Sequence, residues 1–168
     1  NLRARMQKSK FTGAEGGTLI YQTAGLLPAA QLLLIGLGGG AEIAGDTWRK
    51  IGARARREAA ALGAEDIAFF FSPDKDSAIA GGALAEGALL AAYQFNKYRS
   101  NSKPPAELKS FTLFNSGLRP TAALMRSIEI ARIVGTGVSL ARDLVNEPPS
   151  VTTARFLGEQ AKKYCRGR

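Results

Sequence analysis

Apolar positions along the chain follow two rhythms: short continuous runs, and stripes that repeat every three or four residues. Thr18-Leu19-Ile20-Tyr21-Gln22-Thr23 follows a Gly16-Gly17 turn and predicts a short strand. Gln31 to Ile35 is almost wholly apolar and stops at Gly36-Leu37-Gly38-Gly39-Gly40, which predicts a central strand covered on both faces. Asp46 or Thr47 then suits a helix cap, and Trp48, Ile51, Ala55, Ala59 and Leu62 draw one apolar stripe. Arg49, Lys50, Arg54, Arg56 and Arg57 fill the other sides, and Gly63 fits the position just past the helix end. Asp66 to Ser72 predicts another buried strand, ended by Pro73 and Asp74.

A second helix is expected from about Ser77 to Tyr98, with Leu84, Ala88, Ala91, Ala92 and Phe95 on one face. Its glycines, Gly81, Gly82 and Gly87, each cost about 1 kcal/mol relative to alanine, which makes sense only if the helix packs closely on a neighbour. Ser100 to Pro105 reads as a polar loop and Ser110 to Asn115 as a strand. Pro120 opens a long helix with Leu124, Ile128, Ala131, Val134, Val138, Ala141 and Val145 as its stripe. Pro148-Pro149 must end it, and Thr152 or Thr153 caps a last helix through Cys165. Strands and helices in this alternation predict an α/β fold with a largely parallel or mixed sheet and helices on both faces.

Composition narrows the chemistry. The 168 residues, 45% apolar and 22% charged, suit one globular domain. The absence of histidine excludes Ser-His-Asp and Cys-His catalysis and every imidazole metal site. A single cysteine excludes an intrachain disulfide, so a cytoplasmic location is the default expectation. No apolar run reaches the ~20 residues of a membrane helix. Asn1-Leu2-Arg3-Ala4-Arg5 is basic with no hydrophobic stretch behind it, unlike a signal peptide. The lack of an initiator methionine is expected of a piece of a longer protein. The net charge of +9 either favours anionic partners or is balanced by the remainder of a larger polypeptide.

Three features are candidates for function. Gly36-Leu37-Gly38-Gly39-Gly40-Ala41 matches a dinucleotide-binding glycine pattern, although its helix starts late and the expected acidic residue is misplaced, with Glu65 and Asp66 before the next strand. A plain strand-to-helix turn explains it better. Arg49, Lys50, Arg54 and Arg57 could bind nucleic-acid phosphates, with Lys162, Lys163, Arg166 and Arg168 adding to the charge; a solvated face is the simpler reading. Asp74 and Asp76 share a loop, while Asp143 and Glu147 are expected to form a surface pair facing Arg142.

Ala141-Arg142-Asp143-Leu144-Val145-Asn146-Glu147-Pro148-Pro149, continuing through Thr153 to Cys165, resembles the segment that ends the N-terminal domain of the cytosolic leucine aminopeptidases. Ser150 stands where that family usually has Asn, and Ala154 where it has Pro. Phe11-Thr12-Gly13 through Leu19, and Leu32 to Gly38, resemble the family's upstream strands more weakly. The resemblance implies a three-layer α/β/α domain like the macro domain, with a mixed, mostly parallel sheet. It would span residues 1–150, with 151–168 forming a helix toward a separate catalytic domain. The family usually has a further strand before the Phe11 region, so this chain is expected to start after it.

On this resemblance the chain is a non-catalytic assembly domain, with no catalytic or metal-binding residue and no cofactor of its own. The parent would hydrolyse N-terminal residues from peptides, using two divalent ions, manganese or zinc, held in the C-terminal domain. The family's ligand-bearing motifs, similar to N-T-D-A-E-G-R-L and G-K-G-x-x-x-D-S-G-G, do not occur in this chain. Expected partners are the parent's own C-terminal domain and, in a homohexamer, further copies; non-specific DNA is a second possibility and a membrane is not expected. Two other readings stay open: a nucleic-acid-binding module, and a nucleotide or ADP-ribose binder by analogy of fold.

Overall fold

The computed structural model describes residues 1–39, 43–71, 77–100, 108–115 and 120–165. The chain opens on a short helix, α1 (Leu2–Lys8), where the sequence suggested only a basic lead-in. Asn1 starts it by accepting the amide of Ala4 at 2.9 Å, and Arg5 and Lys8 sit in its last turn, where the helix dipole favours cations.

Strands β1 (Thr18–Gln22) and β2 (Gln31–Ile35) form an antiparallel hairpin in which Leu19 lies opposite Leu34. The buried Thr23 closes its connection, donating its hydroxyl to the carbonyls of Ala29 (2.6 Å) and Ala30 (3.0 Å). Strands β3 (Asp66–Phe71) and β4 (Ser110–Asn115) pair in parallel, with Phe69 opposite Leu113, and α3 (Ser77–Ala92) forms the crossover. Helix α2 (Gly45–Ala61) joins β2 to β3, and α4 (Ala122–Asn146) and α5 (Ala154–Cys165) complete the chain. The fold is therefore α/β with mixed pairing, as the alternation predicted.

The core gathers Trp48, Ile51, Phe71, Ala80, Ala83 and Leu84, with Ile35, Phe69 and Leu113 against it. Trp48 meets Phe71 edge-on, ring centres 6.2 Å apart. The glycines of α3 do what their cost implied. A Cβ at Gly87 would overlap the Arg49 carbonyl of α2, one at Gly81 the Leu124 side chain of α4, and one at Gly82 would lie 2.9 Å from Ser127. Gly52 of α2 lies equally close to the Leu84 carbonyl, so α2 and α3 pack at backbone distance, while α4 lays the side chains of Leu124 and Ser127 against the α3 glycines.

Several expectations change. Helix α2 starts at Gly45 after Ala44, ahead of the expected cap at Asp46 or Thr47. Helix α3 ends at Ala92 rather than Tyr98, because the side chains of Tyr93, Lys97 and Tyr98 turn toward the end of α4. Among the described residues β2 pairs with β1 alone, and all five of its residues are half-buried instead of fully covered. β3 likewise has one open face: Phe70 is 74% exposed and stacks on the exposed Phe114 at 5.4 Å. The buried positions of α4 are Leu124, Ala131 and Gly135, whereas Val134, Ala141 and Val145 of the expected stripe face outward. The stripe merged two faces of one helix. Thr121 caps α4 just after Pro120, and Thr153, not Thr152, caps α5 by accepting the Phe156 amide at 3.3 Å.

Candidate functional site

The four basic residues singled out on α2 do not form a free anion-binding face. Arg49 donates to Glu86 of α3 at 3.1 Å and lies 3.5 Å from Asp46. The Glu86 carboxylate beside it raises the already high pKa of its guanidinium. Lys50 pairs with Asp46 at 2.7 Å, an exposed bridge that holds the Asp46 carboxyl below its usual range. Arg54 pairs with Glu58 at 2.8 Å. Arg57 is exposed and makes no ion pair with a described residue. Arg56, placed by periodicity on the outer sides, is instead 4% exposed. It follows the close-packed Gly52 by one helical turn and so faces inward.

The glycine-rich turn after β2 is committed within the fold. The Gly36 amide donates to the Gly17 carbonyl at 2.8 Å and the Gly38 amide to the Gly13 carbonyl at 2.9 Å. A Cβ at Gly36 would overlap the Ala14 carbonyl and Gly13. These glycines admit the Gly13–Gly17 segment alongside β2, and two of the amides that a pyrophosphate would need are taken. Gly40 and Ala41 lie outside the described residues, as do Asp74, Asp76, Glu107, Arg166 and Arg168.

The polar residues in the last turns of α4 build the most developed constellation. Arg142 stacks on the Tyr93 ring, 3.9 Å from its centre, and donates to the Leu90 carbonyl at 3.2 Å. Asp143 accepts the Tyr93 hydroxyl at 2.9 Å, and Asn146 donates to the same oxygen at 3.2 Å. Glu147, whose side chain is only 7% exposed, takes Lys97 on one carboxylate oxygen at 2.6 Å and the Tyr98 hydroxyl on the other at 2.5 Å. Those two hydrogen bonds hold the Glu147 carboxyl below the usual carboxylate range, and the carboxylate in turn raises both Lys97 and Tyr98. Asp143 and Glu147 therefore do not form a pair facing Arg142. Each grips a different part of the segment leaving α3. The repeated aromatic and basic residues Tyr93, Lys97 and Tyr98 were the signal for this, hidden because periodicity assigned them to the helix.

Beneath α5 lies a cleft of about 370 Å³ lined by Phe95, Lys97, Asp143, Glu147, Phe156 and Tyr164, among others. Among the described residues no three Asp, Glu or Cys side chains are grouped as metal ligands. The donors described thus do not fit a two-metal centre, and no metal-dependent step is assigned to them. Glu58 and Glu86 are each held by an arginine, and the Cys165 thiol is exposed at the end of α5. No described helix is long and apolar enough to cross a membrane.

Comparison with known proteins gives a consistent pattern. Residues 1–102 match the family described as cytosol aminopeptidase family, N-terminal domain. A probable cytosol aminopeptidase of Alkaliphilus metalliredigens is 32% identical over 166 residues, covering 96% of this chain and 33% of the relative. The cytosol aminopeptidase of Pseudomonas aeruginosa is 30% identical over 165 residues, again covering 96% of this chain and 33% of its own length. A solved tomato leucine aminopeptidase mutant superimposes with a TM-score of 0.78 at 30% identity, covering 96% of this chain and 32% of that one. The bottromycin maturation enzyme BotP in complex with Mn shares the fold with a TM-score of 0.73 at 24% identity, covering 94% of this chain and 32% of that one. The chain spans about a third of the length of the curated relatives it matches.

Proposed function

Because the chain belongs to the cytosol aminopeptidase family and carries its N-terminal domain, we propose that it serves a metal-dependent peptidase as a non-catalytic assembly domain. Removal of N-terminal residues from peptides belongs to the further two-thirds that the relatives possess. Two divalent ions, manganese or zinc, would be held there and would supply the Lewis-acid chemistry. The parent works in the cytoplasm and assembles as a homohexamer, with this domain joined to its own catalytic partner.

The observation that supports this reading is the outer face of α4. Ala123, Ile130, Val134, Gly137, Ala141 and Val145 recur at helical spacing on the flank about a quarter-turn from Leu124, Ala131 and Gly135, and all are exposed, Val145 to 83%. Ile133, 58% exposed, borders the same stripe. A continuous apolar helix face of this kind marks a protein interaction site. A further two-thirds of polypeptide is the partner of matching origin.

The test is a chimera in which this chain replaces the corresponding third of the Pseudomonas aeruginosa relative. Ile130→Lys with Val134→Lys should leave the isolated chain folded by circular dichroism, yet make the chimera's two parts separable by limited proteolysis. A chimera that stays as resistant as its parent would overturn the docking role.

A further inference from the structure

Helix α5 has no buried residue; only Phe156 and Gln160 are half-buried, Leu157 is exposed, and the exposed Tyr164 lines the cleft. A helix that buries so little apolar surface does not take its direction from packing. Among the described residues, the joint that precedes it is what orients it. That joint is Glu147, Pro148 and Pro149. The prolines restrict their own φ and the backbone of the residue before each of them. Glu147 is the C-cap of α4 and the anchor of the Lys97 and Tyr98 hydrogen bonds. The Thr152 hydroxyl adds a long 3.4 Å contact back to the Leu144 carbonyl.

We propose that the clasp of Glu147 by Lys97 and Tyr98 is a positioning device, which fixes the angle at which α5 leaves α4 and keeps the cleft beneath it open. The carboxylate is well suited to this. Its own side chain is little exposed although Lys97 and Tyr98 are about half exposed, and the two approach different oxygens, which restrains rotation about the side chain as well as its position. Both partners belong to the segment leaving α3, which Arg142 and Asp143 tie to α4 independently through Tyr93. Freed from the clasp, the end of α4 at Glu147 gives way, the stiff turn at 148–153 and α5 swing with it, and Phe156 and Tyr164 close on Phe95, where apolar surface is available. The inference concerns the joint alone and stands whatever α5 leads to.

The test uses the complete 168-residue chain. Cys165 is its single cysteine and is exposed at the far end of α5, so a nitroxide there reports the arm directly. A second label goes on a cysteine replacing the exposed Arg57 of α2, and pulsed electron paramagnetic resonance gives the distance distribution between them. With the clasp intact the distribution should be single and narrow. Glu147→Ala should broaden it or shift its centre, while Lys97→Met and Tyr98→Phe, each removing one arm, should give intermediate changes. A distribution already broad with the clasp intact overturns the proposal, and so does one that Glu147→Ala leaves unchanged. Should Glu147→Ala fail to fold, the two single-arm variants decide by the same criterion.

Discussion

Gly87 of α3 lies directly against the backbone carbonyl of Arg49 on α2, leaving no room for even one additional carbon. The obstacle is backbone, which cannot move aside as a side-chain tip could. Gly87→Ala should therefore destabilise the chain by about 1–3 kcal/mol through overpacking, despite alanine's better helix propensity. Gly137 of α4 has nothing within 4 Å of the point where a methyl group would sit. There the same substitution should stabilise by up to about 1 kcal/mol. Thermal unfolding of the two variants side by side checks the opposite signs.

The Glu147 clasp imposes a pH dependence. Hydrogen bonds from Lys97 and Tyr98 depress the folded-state pKa of Glu147 below its ordinary value of 4.5. Its contribution is thus fully present above about pH 4.5 and is lost as pH falls through the depressed value. The partners act at the other end. Lys97 and Tyr98 are raised above 10.5 and 10.0, so their contributions hold below those values and fade as pH rises through the folded-state ones. Glu147→Gln should lower stability at neutral pH and flatten the acid limb in a denaturation series. An acid limb identical to that of the unaltered chain would contradict this.

Contact with nucleic acid, if made through α2, should be weak and governed by phosphates. Arg49, Lys50 and Arg54 already have carboxylate partners, which leaves Arg57 as the most available charge of the four. Four phosphate contacts would give a logarithmic salt slope of about −3.6, and the slope measured by fluorescence anisotropy on duplex DNA should be shallower. Arg57→Glu should weaken binding more than Arg54→Ala. Sequence-selective binding that survives high salt would show that this face does more.

The turn at Gly36 should be silent toward nucleotides. Its Gly36 and Gly38 amides are bonded to Gly17 and Gly13, so NAD or ADP-ribose should produce no shift in the unfolding temperature. Gly36→Ala, by contrast, should lower that temperature, because its methyl would meet the Ala14 carbonyl. A saturable calorimetric titration with either nucleotide would reverse the assignment.

How far the sequence could be read depended on whether a residue's role was local. Glycine and proline signals served well: Gly63 follows α2 with a φ of +69°, Pro148-Pro149 end α4, and the costly glycines of α3 do mark close approach to neighbouring helices. Periodicity located the helices but could not separate two apolar faces on α4, since Val134 and Ala131 are both apolar and only tertiary packing leaves the larger one exposed. It also carried α3 six residues too far, into the segment that α4 claims through hydrogen bonds some 50 residues distant in sequence. The Arg142–Glu147 segment was conspicuous as a motif, yet its partners lie on another element, so its geometry was not legible from local spacing. Buried Arg56 was missed for the same reason: a charge on a helix reads as solvated until its neighbours are known.

The most direct measurement is hydrolysis of leucine p-nitroanilide by the purified 168-residue chain with manganese or zinc added. With catalysis proposed to lie in the further two-thirds that the relatives possess, no release of nitroaniline above the blank is expected at any metal concentration. The chimera with the Pseudomonas aeruginosa catalytic part should be active under the same conditions. Turnover by the chain alone that a chelator abolishes would contradict a non-catalytic role for this domain.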